Sequence, residues 1–307
     1  MIISFMACRF SMNPQQEEEP MYLSIVGDVL GSTLEFDPQK PKKDKLSLIT
    51  LALIGRPTDD SIMTLATWQW WADYRAGKAG IADYFSYLKR FLDLTPNIGY
   101  GHKFFHLMAD GTEPDPPSCG NGAAMRISAL GVSSGYSMDD IMELVEKLTL
   151  QTHKHPEAVK GAQAVVYASK TALENPAVSR EEISREIESK FGYNLNLDYD
   201  ELLTRSFDAT CQGSVPQAIW CALSSSNVAE VFTKAMTIGG DTDTIACIAG
   251  GIFQATCSSP GQISAGDSGC SITIAAAMAN AKLRLPAEIG GVMKRCKIEF
   301  SGCRELP

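Results

Sequence analysis

The sequence has no run of about 18 apolar residues, the length a helix needs to cross a bilayer. Its longest approach to one, residues 271–281, is short and alanine-rich. Acidic residues outnumber basic ones, 36 to 27, and the net charge is −9. Such a surface repels nucleic acid and anionic membrane on average. No Cys-x-x-Cys occurs, and no cysteine–histidine spacing suits zinc. The nine cysteines, an odd count, read as reduced thiols of a cytoplasmic chain, several buried as small apolar groups. The start, residues 1–10, is apolar but lacks the basic beginning, the length and the small-residue cleavage site of a secretory leader. It runs into Gln15-Gln16-Glu17-Glu18-Glu19, so residues 1–20 are expected to be a loose tail. Strand signals are also scarce. The apolar runs 46–54 and 165–167 have no hairpin turn to pair them.

What is present is mostly helical. The chain has 307 residues, 45% hydrophobic and 21% charged, which excludes a disordered or fibrous protein. At this length a chain buries about three-quarters of its unfolded surface and needs no disulfide or structural metal to fold. Residues 59–76 carry Ile62, Leu65, Ala66, Gln69 and Trp70 near helical spacing, with Gly77 as the stop. Ser137 caps a helix bearing Ile141, Leu144, Val145 and Leu148. Pro156 suits the first turn of another. Ser179 and Glu182 form a capping box, and Gly192 closes that helix. Pro216 starts a further helix, Asn227 caps the next and Gly239 stops it. The fold class is therefore all-α: one domain over 21–256, a Ser/Gly-rich flexible loop over 257–270, and a C-terminal segment, 271–307.

Two acidic clusters could do chemistry. Thr58-Asp59-Asp60-Ser61 opens one helix, and Gly239-Gly240-Asp241-Thr242-Asp243-Thr244 lies between a helix stop and a helix start. Either alone is explained by capping, since an acid in a first turn gains about 0.3–1 kcal/mol from the helix dipole. Together they supply four carboxylates and several hydroxyls. Oxygen-only donors suit Mg²⁺, Mn²⁺ or Ca²⁺ rather than zinc. Four gathered negative charges repel, and two divalent ions neutralise them better than one.

Further elements are Gly27-Asp28-x-x-Gly31-x-x-x-Glu35, where the glycines would let the chain bend closely around a ligand. Gly120-Asn121-Gly122 reads either as a tight turn or as a loop offering backbone N–H groups to a phosphate. It is not a Walker A loop, because no Gly-Lys-Ser/Thr follows. Thr152-His153-Lys154-His155-Pro156 precedes a helix. Cys211, at a helix start, has no base nearby in sequence to make it a nucleophile.

In order and spacing, five segments resemble the ADP-ribosylglycohydrolase family, of the dinitrogenase reductase-activating glycohydrolase type. They are Gly27-Asp28-x-x-Gly31-x-x-x-Glu35, Thr58-Asp59-Asp60-Ser61-x-Met63, Gly120-Asn121-Gly122-x-Ala124-Met125-Arg126, Thr152-His153-x-His155-Pro156 and Gly239-Gly240-Asp241-Thr242-Asp243-Thr244. The resemblance runs from about residue 24 to 254. It implies an all-α fold with two Mg²⁺ ions, Mn²⁺ being a substitute, held by Thr58, Asp59, Asp60, Asp241, Asp243 and Thr244. It implies Glu35 as the catalytic acid–base. It places substrate against Asp28, Ser118, Gly120, Asn121, Gly122, Met125 and His153. The implied activity is release of ADP-ribose from an ADP-ribosylated protein or a small ADP-ribosyl compound, by a monomer. Two alternatives compete: a non-catalytic, crystallin-like relative, and a metal-dependent nucleotide phosphoesterase.

Overall fold

Four glycines set the closest helix pair. In the computed structural model, which describes residues 22–37, 41, 45–133, 135–257 and 268–295, helix α1 (Tyr22–Gly31) is buried along its whole length. It lies against α14 (Thr242–Ala255), in which every residue but Gln254 is buried. A Cβ added at Gly27 would stand 2.2 Å from the carbonyl oxygen of Ala246, and one at Gly31 2.4 Å from the Cα of Asp243. Gly250 and Gly251 do the same from the other side, against Leu23 and Ser24. The two backbones touch where no side chain fits. Gly27 and Gly31 thus do not bend the chain around a ligand, as the motif alone led us to expect. They lie in a regular helix and bring Asp28, between them, alongside Asp243.

Sixteen α-helices are found among the described residues, and an isolated bridge between Gly120 and Thr210 is their one β feature. After α1 come α2 (Leu48–Ile54), α3 (Asp59–Arg75), α4 (Tyr84–Leu94), α5 (His102–Asp110), α6 (Gly122–Met125), α7 (Ser128–Gly131), α8 (Met138–Thr149) and α9 (Pro156–Glu174). Then follow α10 (Arg180–Phe191), α11 (Tyr199–Leu202), α12 (Cys211–Leu223) and α13 (Val228–Ile238). Beyond α14 are α15 (Ser268–Arg284) and α16 (Ala287–Arg295).

The expected caps form. Ser137 Oγ accepts from Asp140 N–H at 3.1 Å, and Ser179 and Glu182 close their box in both directions. Asn227 accepts from Glu230 N–H at 2.9 Å. Gly192 ends α10 at φ 67°. One boundary moves. Thr210, not Pro216, opens α12: its hydroxyl accepts from Gly213 N–H at 3.1 Å and leaves Pro216 inside the helix. The apolar runs 46–54 and 165–167 are helical, in α2 and α9.

Residues 1–20, expected as a tail, lie outside the described residues, as does 258–267 of the expected loop. Helix α15 starts at Ser268, so the last part of 257–270 is helix. It packs against α1 and α2. Asn280 is buried and donates its amide to the carbonyls of Ala52 and Gly55, at 2.9 and 2.8 Å, closing the end of α2. Among the described residues, no helix is long and apolar enough to cross a membrane.

Candidate active site

Asp28 ties α1 to the start of α3. It accepts from Thr58 N–H at 2.9 Å, Thr58 Oγ1–H at 2.7 Å, Ser61 N–H at 3.0 Å and the Ser61 hydroxyl. Fully buried, it lies beneath the cleft rather than in it. Thr58 is the N-cap of α3, as the capping reading required, and also lies off the cleft. Asp60, one position into the helix, turns inward. Its Oδ2 accepts from Thr244 Oγ1–H at 3.1 Å, while its Oδ1 is buried with no partner.

The second acidic cluster meets the first. Asp28, Asp60 and Asp243 present oxygens all within 4.8 Å of one another, and so do Glu35, Asp241 and Asp243. Asp243 is common to both sets. The turn that delivers Asp241 uses left-handed backbone at Gly239 (φ 69°) and Gly240 (φ 85°), which glycine adopts without strain. Asn121 donates its amide to Asp241 at 2.7 Å and to Ser214 Oγ at 2.9 Å.

Burial raises the proton affinity of every one of these carboxyls. Asp28, Asp60, Asp241 and Asp243 all move up for that reason, and neighbouring carboxylates push Asp60 and Asp243 further. Asp59 rises to about 8, through burial and then the charges of Asp28 and Asp241. Glu35 rises to about 7, through burial and then Asp241. Asp243 presents an oxygen within 4.8 Å of those of Glu35 and Asp241, so without a cation these carboxyls must hold protons among them. Oxygen donors, mutual repulsion and the orphaned Asp60 Oδ1 together fit a hard divalent cation.

A cleft of about 410 Å³ opens onto this floor. Glu35, Asp59, Asp60, Asp241, Asp243 and Thr244 line it, with Ser118, Gly120, Asn121, Gly122, Met125 and His153. Of the expected site residues, Asp28 and Thr58 are the two beneath it. The glycine loop is pinned by Asn121 N–H to Ala209 O and Cys211 N–H to Cys119 O, both 2.9 Å. Gly122 then starts α6, where a backbone N–H has no intrahelical acceptor.

His153 is buried behind that loop, and its environment fixes its tautomer. Arg126 Nη2 donates to Thr152 Oγ1 at 2.6 Å. The threonine hydroxyl has one proton to give, and His153 Nδ1 at 2.8 Å is a nearer acceptor than Thr149 O at 3.5 Å, which favours donation to the ring. Nε2 therefore carries the hydrogen. It lies 3.2 Å from where a Cβ on Gly122 would be, so glycine there keeps the imidazole open to the loop. Burial, and then the charge of Arg126, hold the ring neutral, with its pKa down at about 3. His155 instead caps α9, accepting from Glu157 N–H at 3.1 Å. Cys211 is buried, its thiol pushed up by burial, which agrees with a structural role.

The sequence did not mark Phe36, His102, Lys103, Phe104 and Phe207 as cleft residues. Phe36 and Phe207 are exposed, with ring centroids 5.7 Å apart. Only the position of Phe36, next to Glu35, was available as a signal. Arg126 stood inside a quoted motif, but its burial under Thr152 needed the fold.

The geometry is that of an all-helical domain with a buried carboxylate floor beneath an open cleft. The model of the ADP-ribosylglycohydrolase family matches residues 21–256, and the chain belongs to that family. It is a glycohydrolase. A protein of Acanthamoeba polyphaga mimivirus, whose name assigns it provisionally to the ADP-ribosyl glycohydrolases, is 24% identical over 278 residues, covering 76% of this chain and 84% of the relative. A solved structure titled as an ADP-ribosylglycohydrolase-related protein complex shares the fold, with a TM-score of 0.58 and 18% identity. It covers 85% of this chain and 96% of the other.

Proposed function

We propose that this chain hydrolyses the bond at the anomeric carbon of ADP-ribosylated side chains, or of related small ADP-ribosyl compounds, releasing ADP-ribose with the help of two Mg²⁺ ions. One observation carries the reading: carboxylates from three distant segments overlap at Asp243, beneath a cleft walled by the glycine loop and a neutral histidine. Thr58, Asp59, Asp60, Asp241, Asp243 and Thr244 would hold the ions, with Mn²⁺ able to replace Mg²⁺. When bound, the ions supply positive charge against these carboxylates and against a sugar diol.

The protein groups divide the remaining work. Cleavage at an anomeric carbon passes through an oxocarbenium-like state and needs proton transfer at the leaving atom. Glu35 is half-buried at the edge of the floor, and burial raises its proton affinity above that of a free carboxyl, which suits that transfer. His153 offers Nε2–H, and Gly122 its N–H, to phosphate or ribose oxygens. Burial, and then the charge of Arg126, keep His153 from protonating. Asn121 holds Asp241, rather than substrate, with its amide. Cys119, Cys211, Cys221, Cys247 and Cys257 are free, which supports the cytoplasmic setting, and the enzyme is taken to act as a monomer.

Every acidic motif position is filled, which favours an active enzyme over a crystallin-like relative. Product analysis separates the readings. ADP-ribose released from a modified protein with Mg²⁺, and lost with EDTA, supports glycosidic cleavage. AMP or phosphate as product supports the phosphoesterase, and no product at all supports the non-catalytic relative.

A further inference from the structure

We propose that His102 and His106 bind one borderline divalent transition-metal ion, of the Zn²⁺ type, at the rim of the cleft. They sit one turn apart on α5, on the same face of the helix. Their ring centroids are 4.3 Å apart, and the two Nε2 atoms face each other at 3.1 Å. Two ligand nitrogens about 2.0–2.1 Å from a tetrahedral ion stand about 3.3–3.4 Å apart. At a right angle, as in tetragonal sites, they stand about 2.9 Å apart. The observed separation lies between these values, so one ion joins both nitrogens with a small rotation of either ring.

The neighbours favour this use. His106 Nδ1 is 3.9 Å from Asp110 Oδ2, one turn further on. That distance is too long for a hydrogen bond, and a small rotation of the exposed Asp110 side chain brings its carboxylate to Nδ1–H, where it would orient the ring with Nε2 free. Lys103 is engaged elsewhere, its ammonium donating to Pro116 O at 2.9 Å. In the free protein one Nε2–H can donate to the other nitrogen; on metal binding that proton moves through water to Nδ1 of the same ring, which leaves both Nε2 lone pairs to the ion. The site differs in kind from the oxygen-only floor: imidazole selects Zn²⁺, Cu²⁺ or Ni²⁺, whereas carboxylates and hydroxyls suit Mg²⁺. With two protein ligands the ion keeps open positions, and because His102 lines the cleft they lie at its entrance. The inference does not depend on which bond the enzyme cleaves.

The test is a Zn²⁺ titration of the untagged full chain by calorimetry, with Mg²⁺ in large excess to fill the acidic floor. The wild type should bind one Zn²⁺, and His106→Gln should lose that event. Asp110→Asn should weaken it about tenfold or more. Both positions are solvent-exposed, and matched melting curves in Mg²⁺ establish that the variants fold. An independent measurement needs no variant: Zn²⁺ should slow modification of His102 and His106 by diethyl pyrocarbonate, read by peptide mass. No Zn²⁺ event in the wild type, an unchanged isotherm in His106→Gln, or an unchanged modification rate would each overturn the proposal.

Discussion

Asn121 and Asp241, 120 positions apart, are joined by a 2.7 Å hydrogen bond from amide to carboxylate. This bond locks the glycine loop, which would face phosphate, to the acidic turn, which would face metal. A misplaced loop therefore displaces a metal ligand as well. Asn121→Ala removes a buried, charge-assisted hydrogen bond, a loss of about 1.5–3 kcal/mol. We expect Mg²⁺ affinity to fall about tenfold, as for loss of other ligand-orienting partners. Calorimetry of Mg²⁺ binding checks this, and an unchanged affinity would mean that Asp241 holds its place alone.

The contact between α1 and α14 should tolerate nothing larger than glycine. In Gly31→Ala the new Cβ meets the backbone of Asp243, which cannot turn aside as a side chain would. Overpacking of this kind costs about 1–3 kcal/mol or more. Gly290→Ala, with nothing within 4 Å of its Cβ and a helical position in α16, should be neutral or stabilising by up to about 1 kcal/mol. Urea midpoints of the two variants check the contrast.

The metal-free protein should lose stability as pH rises. Glu35 and Asp59 bind protons more tightly folded than unfolded, so their contribution is fully present below the ordinary carboxylate range. It is lost as pH climbs through about 7 and about 8. Melting temperatures in EDTA should therefore decline between about pH 4 and about pH 8. Mg²⁺ should flatten the decline, adding about 2.7 kcal/mol at a hundredfold excess over its dissociation constant. A melting temperature indifferent to both EDTA and pH would show that the carboxylates hold no ion.

Glu35→Gln keeps the shape of the side chain but cannot exchange a proton. Turnover should fall about 10²–10⁴-fold. Affinity for ADP-ribose should change little, because most of the contacts proposed above lie elsewhere. Turnover and product binding measured on one preparation separate a proton-transfer role from a packing role.

Much of this was legible before the fold. Serine, asparagine and glycine caps act locally, so the helix ends marked by Ser137, Ser179, Gly192 and Asn227 could be read from neighbouring residues. The two aspartate clusters were legible as chemistry only as a pair, because either alone is explained by helix capping. Asp28 was misplaced because its burial depends on Gly27 and Gly31 packing against α14, a contact more than 200 positions away. Thr210 was missed as a cap because Pro216 gave the stronger local signal. Phe36, His102 and Phe207 reach the cleft only through tertiary packing, and nothing in their local sequence marks that.

The central claim is tested most directly by incubating the chain with an ADP-ribosylated protein in Mg²⁺ and identifying the small product by mass spectrometry. The account predicts free ADP-ribose and an unmodified acceptor side chain, both abolished by EDTA and by Asp241→Asn. AMP with a ribose phosphate left on the acceptor, or release that continues undiminished in EDTA, would contradict it.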